Sequence, residues 1–138
     1  MKALNSEEFW QFACHLYNEG DMQTRLLDYQ NQQAKNVNLC LLMYYLDSLN
    51  LAISLTQLNK LEQSICEFEQ HVLKPLRTTR AYLKANQSEI DEYKTLRKEL
   101  LSAELKLEKQ QQKILIDAVN KMNLAPSATP NNSARYLP

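Results

Sequence analysis

A chain of 138 residues with 44% hydrophobic and 23% charged residues is long enough for one domain with a true core, which excludes wholesale disorder. Its single glycine (Gly20) and four prolines exclude folds built on repeated tight turns, and glycine phosphate loops with them. The zero net charge hides an asymmetry: residues 1–70 carry four Lys/Arg and nine Asp/Glu, a net of −5, whereas residues 71–138 carry twelve and seven, a net of +5. Such a split bears on association rather than on fold; either the halves attract one another within one domain or they offer opposite charge to partners.

The densest apolar run, Val37 to Leu46, is about half the roughly 20 residues a membrane-spanning helix needs, and Asn38 interrupts it, so no membrane contact is expected. Glu7 and Glu8 stand where a secretory signal would be apolar, and Cys14, Cys40 and Cys66 are odd in number and widely spaced. The expectation is a cytoplasmic protein with reduced thiols.

Leucine supplies 24 residues and β-branched residues are scarce, which favours helix over strand. Phe9, Phe12, Ala13 and Leu16 recur at helical spacing behind an Asn5…Glu8 pair resembling a capping box, predicting a helix from Ser6 to Tyr17 that stops at Gly20. Asp21 reads as the cap of a second helix carrying Met22, Leu26, Leu27 and Tyr29. Asn36 caps a third, Val37 to Leu49, apolar on every side and therefore central. A fourth helix places Leu58, Leu61, Ile65, Phe68 and Val72 at steps of 3 and 4 behind a Ser54…Gln57 capping box. Pro75 predicts a kink or break, followed by a fifth helix to Ala85.

Ser88 reads as the start of a long last helix reaching Met122. Tyr93, Leu96, Leu100, Ala103, Leu107 and Ile114 follow a heptad seam along it. Such a helix would be about 52 Å long, against a radius of gyration of about 14 Å for a compact domain of this size. It either bends back around the core or projects and offers its seam to a partner helix or a second copy. Residues 124–138, with Pro126, Pro130, Asn131 and Asn132 and few apolar side chains, are expected to be disordered. The fold expected is all-α: a helical core domain over residues 1–86, the long helix over 87–123 and the tail.

No catalytic constellation is visible, and neither an enzyme nor a cofactor nor a metal is expected. The two histidines, His15 and His71, have Phe12 and Phe68 three residues before them, not the glutamate of diiron bundles. The three cysteines lie 26 residues apart and read as small core hydrophobes. Glu67 and His71 read as a surface i, i+4 pair. The most suggestive polar feature is a run of cations, Lys74, Arg77, Arg80 and Lys84, at spacings of 3, 3 and 4 with no acid from His71 through Ser88. Those spacings share one helix side, which suits phosphate or an acidic partner surface, or else an internal match to Glu62, Glu67 or Glu69.

Four segments carry a resemblance: Phe9-Trp10-x-Phe12-Ala13 with Tyr17; Leu26-Leu27-x-x-Gln30; Val37-Asn38-Leu39-x-Leu41-Leu42; and Pro75-Leu76-Arg77-x-x-Arg80-x-x-Leu83-Lys84. Over residues 6–85 the chain resembles a family of small proteobacterial proteins catalogued as a domain of unknown function. The resemblance implies a helical cytoplasmic protein and no activity. It directs attention to Gln30 and Asn38, amides beside the apolar core that either fix helix register or line a small polar pocket with Trp10 and Arg77. The function expected is a non-enzymatic interaction or adaptor protein. A protein partner or homo-oligomer would dock on the stripe Lys74, Arg77, Arg80 and Lys84, or on the seam Tyr93, Leu96, Leu100, Leu107 and Ile114. The alternative is an RNA- or ribosome-associated factor using the stripe on phosphates.

Overall fold

The computed structural model describes residues 2–137; Met1 and Pro138, the outermost residues of the two end segments, lie outside the described residues. The architecture is all-α. Helix α1 (Ser6–Tyr17) is capped by Asn5, whose side chain accepts from the backbone N–H groups of Glu7 and Glu8. Gly20, at φ +50°, turns the chain into α2 (Met22–Gln33). Helix α3 (Val37–Ser48) starts where Asn36 accepts from Leu39 N–H, and eight of its twelve residues are buried, so it is the central rod. Around it, Phe9 stacks on Tyr45 with ring centroids 5.2 Å apart, and Leu26, Leu61, Ile65, Leu115, Ile116 and Val119 complete the core.

Helix α4 (Leu55–Phe68) begins with the full capping box, Ser54 and Gln57 each accepting from the other's backbone N–H. Of the kink or break expected at Pro75, no break occurs, and the fifth helix begins beside it, at Lys74. Instead a π-turn, Glu69–Leu73, joins α4 directly to α5 (Lys74–Ala85), with Lys74 N–H donating to the Glu69 carbonyl five residues back. A proline ring collides with the carbonyl four residues earlier; widening the helix by one residue there lets the chain continue.

Helix α6 (Tyr93–Asn120) starts five residues later than Ser88, because Gln87–Glu89 form a 3-10 turn and Glu92 adopts φ +56°. That reversal lays the first half of α6 antiparallel on α5 as a helical hairpin, while its second half runs into the core against α1, α3 and α4. The long helix therefore neither projects alone nor wraps: its length of about 42 Å is shared between hairpin and core.

The tail departs from its expected disorder. Leu51–Ala52 (β1) pairs antiparallel with Ala125–Pro126 (β2), and a short helix α7 (Asn132–Tyr136) packs on α3. Composition alone misjudges it because its order rests on a few strong anchors. Leu124, Tyr136 and Leu137 are buried, and Asn132, 1% exposed, accepts from Ile53 N–H (2.9 Å) and donates to the Leu51 carbonyl (2.6 Å). The Asp47 carboxylate accepts from Asn132 N–H, Ser133 N–H and Ser133 Oγ, the free donors at the start of α7.

Candidate functional site

Where the α5–α6 hairpin leaves the body of the protein, a cleft of about 380 Å³ opens between it and helices α1 to α3. Its walls are mostly apolar: Trp10, Ala13, Tyr17, Leu27, Val37, Leu41, Leu101 and Leu105 line it. Its polar groups include Asn18, Gln30, Asn38, Arg77, Arg80, Glu104, Glu108 and Gln112. The structure thus brings Trp10, Gln30, Asn38 and Arg77 to one cavity, drawn from α1, α2, α3 and α5.

The cations of the stripe do not form a free surface. Arg77 donates through Nη1 to Glu69 (2.6 Å) and through Nη2 to Glu108 (3.0 Å). Arg80 forms a fork on Glu104, with Nε at 2.6 Å and Nη2 at 3.1 Å. These three glutamates hold the two guanidinium groups the stripe would have offered to a partner, so of its four cations Lys74 and Lys84 stay exposed and without an ion pair among the described residues. Of the expected internal partners Glu69 is used. Glu67 instead meets His71 at 3.0 Å on the surface, as the i, i+4 spacing indicates. The opposite charges of the two halves meet at Glu69–Arg77 and at Glu7–Lys109 (2.8 Å), whereas Arg80–Glu104 and Arg77–Glu108 lie within the C-terminal half.

Behind the arginines a chain of amides runs into the core. Asn38 Nδ2 donates to Glu108 Oε2 (2.7 Å) and to Gln111 Oε1 (2.8 Å), and Asn38 Oδ1 accepts from Gln112 Nε2 (3.0 Å). Asn36 Nδ2 and Gln111 Nε2 both donate to Glu69 Oε1. A carboxylate only accepts, so Glu108 obliges the Asn38 amide to present its NH₂, which turns Oδ1 toward Gln112 and obliges Gln112 to donate. The polarity of the network is set at Glu108 and carried inward to Gln112. Gln112 Oε1 is then left over: it is the one buried side-chain polar atom without a hydrogen-bond partner among the described residues. Burial pushes the Glu108 carboxyl up from its ordinary value, a pull that Arg77 and Asn38 oppose and do not overcome. Burial, and secondarily the Glu108 charge, pushes the Tyr17 phenol up as well.

The seam is distributed differently from its expected role as one contact face. Leu96 is 38% exposed, Tyr93, Leu100 and Leu107 are half-buried, and Ile114 packs at the core's edge. The buried face of α6 is Glu104, Gln111, Gln112, Leu115, Ile116 and Val119. Those positions repeat at helical steps as faithfully as the seam does, but three of them, Glu104, Gln111 and Gln112, are polar, as is the neighbouring, partly buried Glu108. Leu105, the most exposed leucine of α6 at 58%, stands on the rim of the cleft. The cysteines also separate: Cys40 is in the core, whereas Cys14, on the cleft wall, and Cys66 are exposed rather than core hydrophobes. Among the described residues no helix is long and apolar enough to cross a membrane.

No match is found among curated proteins or among solved structures. Residues 8–115 match the model of a family described as protein of unknown function (DUF2390), a span that holds most of α1, all of α2 to α5, the hairpin and every residue of the cleft, and the chain belongs to that family.

Proposed function

We propose that this protein is a non-enzymatic interaction protein that receives a segment of a protein partner in the cleft beside the α5–α6 hairpin. The observation that supports this reading is the apolar rim: Leu105 at 58% and Leu27 at 37% exposure border a cavity that continues inward past Trp10, Leu101 and Leu41. Exposed leucines at the mouth of a concave, mostly apolar cavity are surface that a partner would remove from water. The arginines, engaged by glutamates, tie α5 to α6 within the hairpin, and the Asn38–Glu108 bond ties the hairpin to α3. A photo-reactive phenylalanine at position 105 tests the reading in nuclease-treated lysate. A discrete protein adduct that Leu27→Glu removes is the expected result; adducts that Leu27→Glu leaves unchanged, or adducts to RNA alone, overturn it.

A second reading, contact with RNA, is supported by a surface that shares only Lys84 with the stripe. Lys84, Lys94, Arg97 and Lys98 border a shallow groove with Tyr93 and Leu101 along the hairpin, and none of the four is ion-paired among the described residues. Four phosphate contacts would give single-stranded RNA a log–log salt slope of about −3, lost in Lys94→Glu/Arg97→Glu. A slope near zero overturns this reading.

A further inference from the structure

We infer that the cleft accepts an aromatic side chain of the partner, tryptophan or tyrosine, whose N–H or O–H donates to Gln112 Oε1. This rests on the docking reading above and names the chemistry of what docks. Three observations carry it. Gln112, only 2% exposed, lines the cleft, and its Oε1 has no partner. The orientation of that amide is dictated by the relay from Glu108 through Asn38, so the atom left over is an acceptor and the missing group is a donor. The charges lining the cleft cancel, with Arg77 on Glu108 and Arg80 on Glu104. A charged visitor would have to displace one of those pairs, whereas a neutral donor need only part the wall over the vacant acceptor, which is closed to water in this structure.

The remaining features of the cleft select among neutral donors. Its walls are apolar over most of their extent, and Trp10 supplies an aromatic surface for a second ring. A serine or threonine, or a short carboxamide, would leave the apolar walls unfilled. Tyrosine and tryptophan each join a large apolar body to a single polar tip, the combination that anchors protein interfaces.

The test uses paired probes that differ by the donor alone: N-acetyl-tyrosinamide against N-acetyl-phenylalaninamide, and N-acetyl-tryptophanamide against its 1-methyl-indole derivative. Each is titrated into the full chain and followed by the amide NMR signals of Trp10, Leu101 and Leu105. In the wild type the donor-bearing member of at least one pair should bind about tenfold more tightly, the range expected when a buried unpaired acceptor gains its donor. Which pair shows the larger ratio identifies phenol or indole. In Gln112→Met the members of each pair should bind alike. Equal binding within both pairs on the wild type overturns the donor inference and leaves the cleft as an apolar docking site. Probes that bind without moving those three signals, or that move nothing, overturn the docking reading itself. The wild-type comparison stands alone if Gln112→Met does not fold.

Discussion

Glu69 and Arg77 meet at 2.6 Å although eight residues separate them along one continuous run of helix. In an α-helix residues eight apart point about 80° away from each other, since each residue turns about 100°. The π-turn Glu69–Leu73 takes up one extra residue, making the interval an effective seven and bringing the two side chains to within about 20° of one face. Pro75 is the local reason for the wide turn, and the ion pair is what that turn aligns. The same alignment lets Arg77 bridge to Glu108 on α6, so the helix irregularity positions the hairpin and with it the cleft.

Arg77→Met should therefore destabilise the protein by about 2–4 kcal/mol, because Glu69 and Glu108 would face each other without their shared cation. Arg77→Lys should recover only part of the loss, since an ammonium lacks the fork that reaches both carboxylates. Urea unfolding measures both. An Arg77→Met midpoint equal to that of the wild type would mean that the bridge contributes nothing to holding the hairpin.

The pattern of apolar residues reads out the helices well, and for a physical reason: α1 and α4 bury apolar side chains at helical steps, and α3 nearly all round, behind side-chain caps that a short motif announces. Asn5, Asn36 and Ser54 all cap where their spacing indicates. The site was half legible. Trp10, Gln30, Asn38 and Arg77 stand out as polar or aromatic residues beside apolar runs, but their partners Glu104, Glu108, Gln111 and Gln112 lie in a stretch of α6 rich in Lys, Glu and Gln. There, burial depends on where the hairpin folds back, which is a tertiary property. The tail was illegible for the opposite reason: its order comes from hydrogen bonds to the backbone of Leu51 and Ile53, and no composition rule registers a partner 80 residues away in the chain.

Glu108 should make stability depend on pH with an unusual sign. Its carboxyl titrates above the ordinary value near 4.5 because burial disfavours its charge. The folded state then holds the proton more tightly than the unfolded chain. The stability it contributes is complete below the unfolded pKa and is lost as pH rises through the folded one. Relative to Glu108→Gln, the wild type should therefore lose stability as pH rises above about 4.5, the other carboxylates being common to both. A difference between the two unfolding free energies that stays flat across this range, or grows with pH in favour of the wild type, contradicts the desolvation.

The three thiols should react in two classes. Cys14 and Cys66 are exposed, whereas Cys40 lies in the core, where burial pushes its thiol up to about 12. The thiolate is the reactive form, so an aromatic disulfide reagent at pH 8 should consume two thiols per native chain quickly and the third only on unfolding. Three fast thiols would mean that α3 opens readily. The variant Cys40→Ser is the control: its native count should stay at two.

Asn132→Ala isolates the hydrogen bonds that order the tail. The side chain serves two backbone groups at once, Ile53 N–H and the Leu51 carbonyl, and Arg135 donates both to the Ile53 carbonyl and to Asn132 Oδ1 at 2.9 Å. Removing it leaves both backbone groups unpaired beneath α7, a loss of about 2–4 kcal/mol, or roughly 5–12 °C in Tm. Because the tail is held by these bonds and by Leu124, Tyr136 and Leu137, the variant should also open the backbone at the already exposed Arg135 to trypsin while α3 and α4 still resist. Asp47→Asn, which keeps one acceptor for the N–H groups of Asn132 and Ser133, should fall between the two. Should Asn132→Ala keep the wild-type Tm and the wild-type rate of cleavage at Arg135, burial of the three apolar anchors would be sufficient, and the amide would be dispensable to the fold.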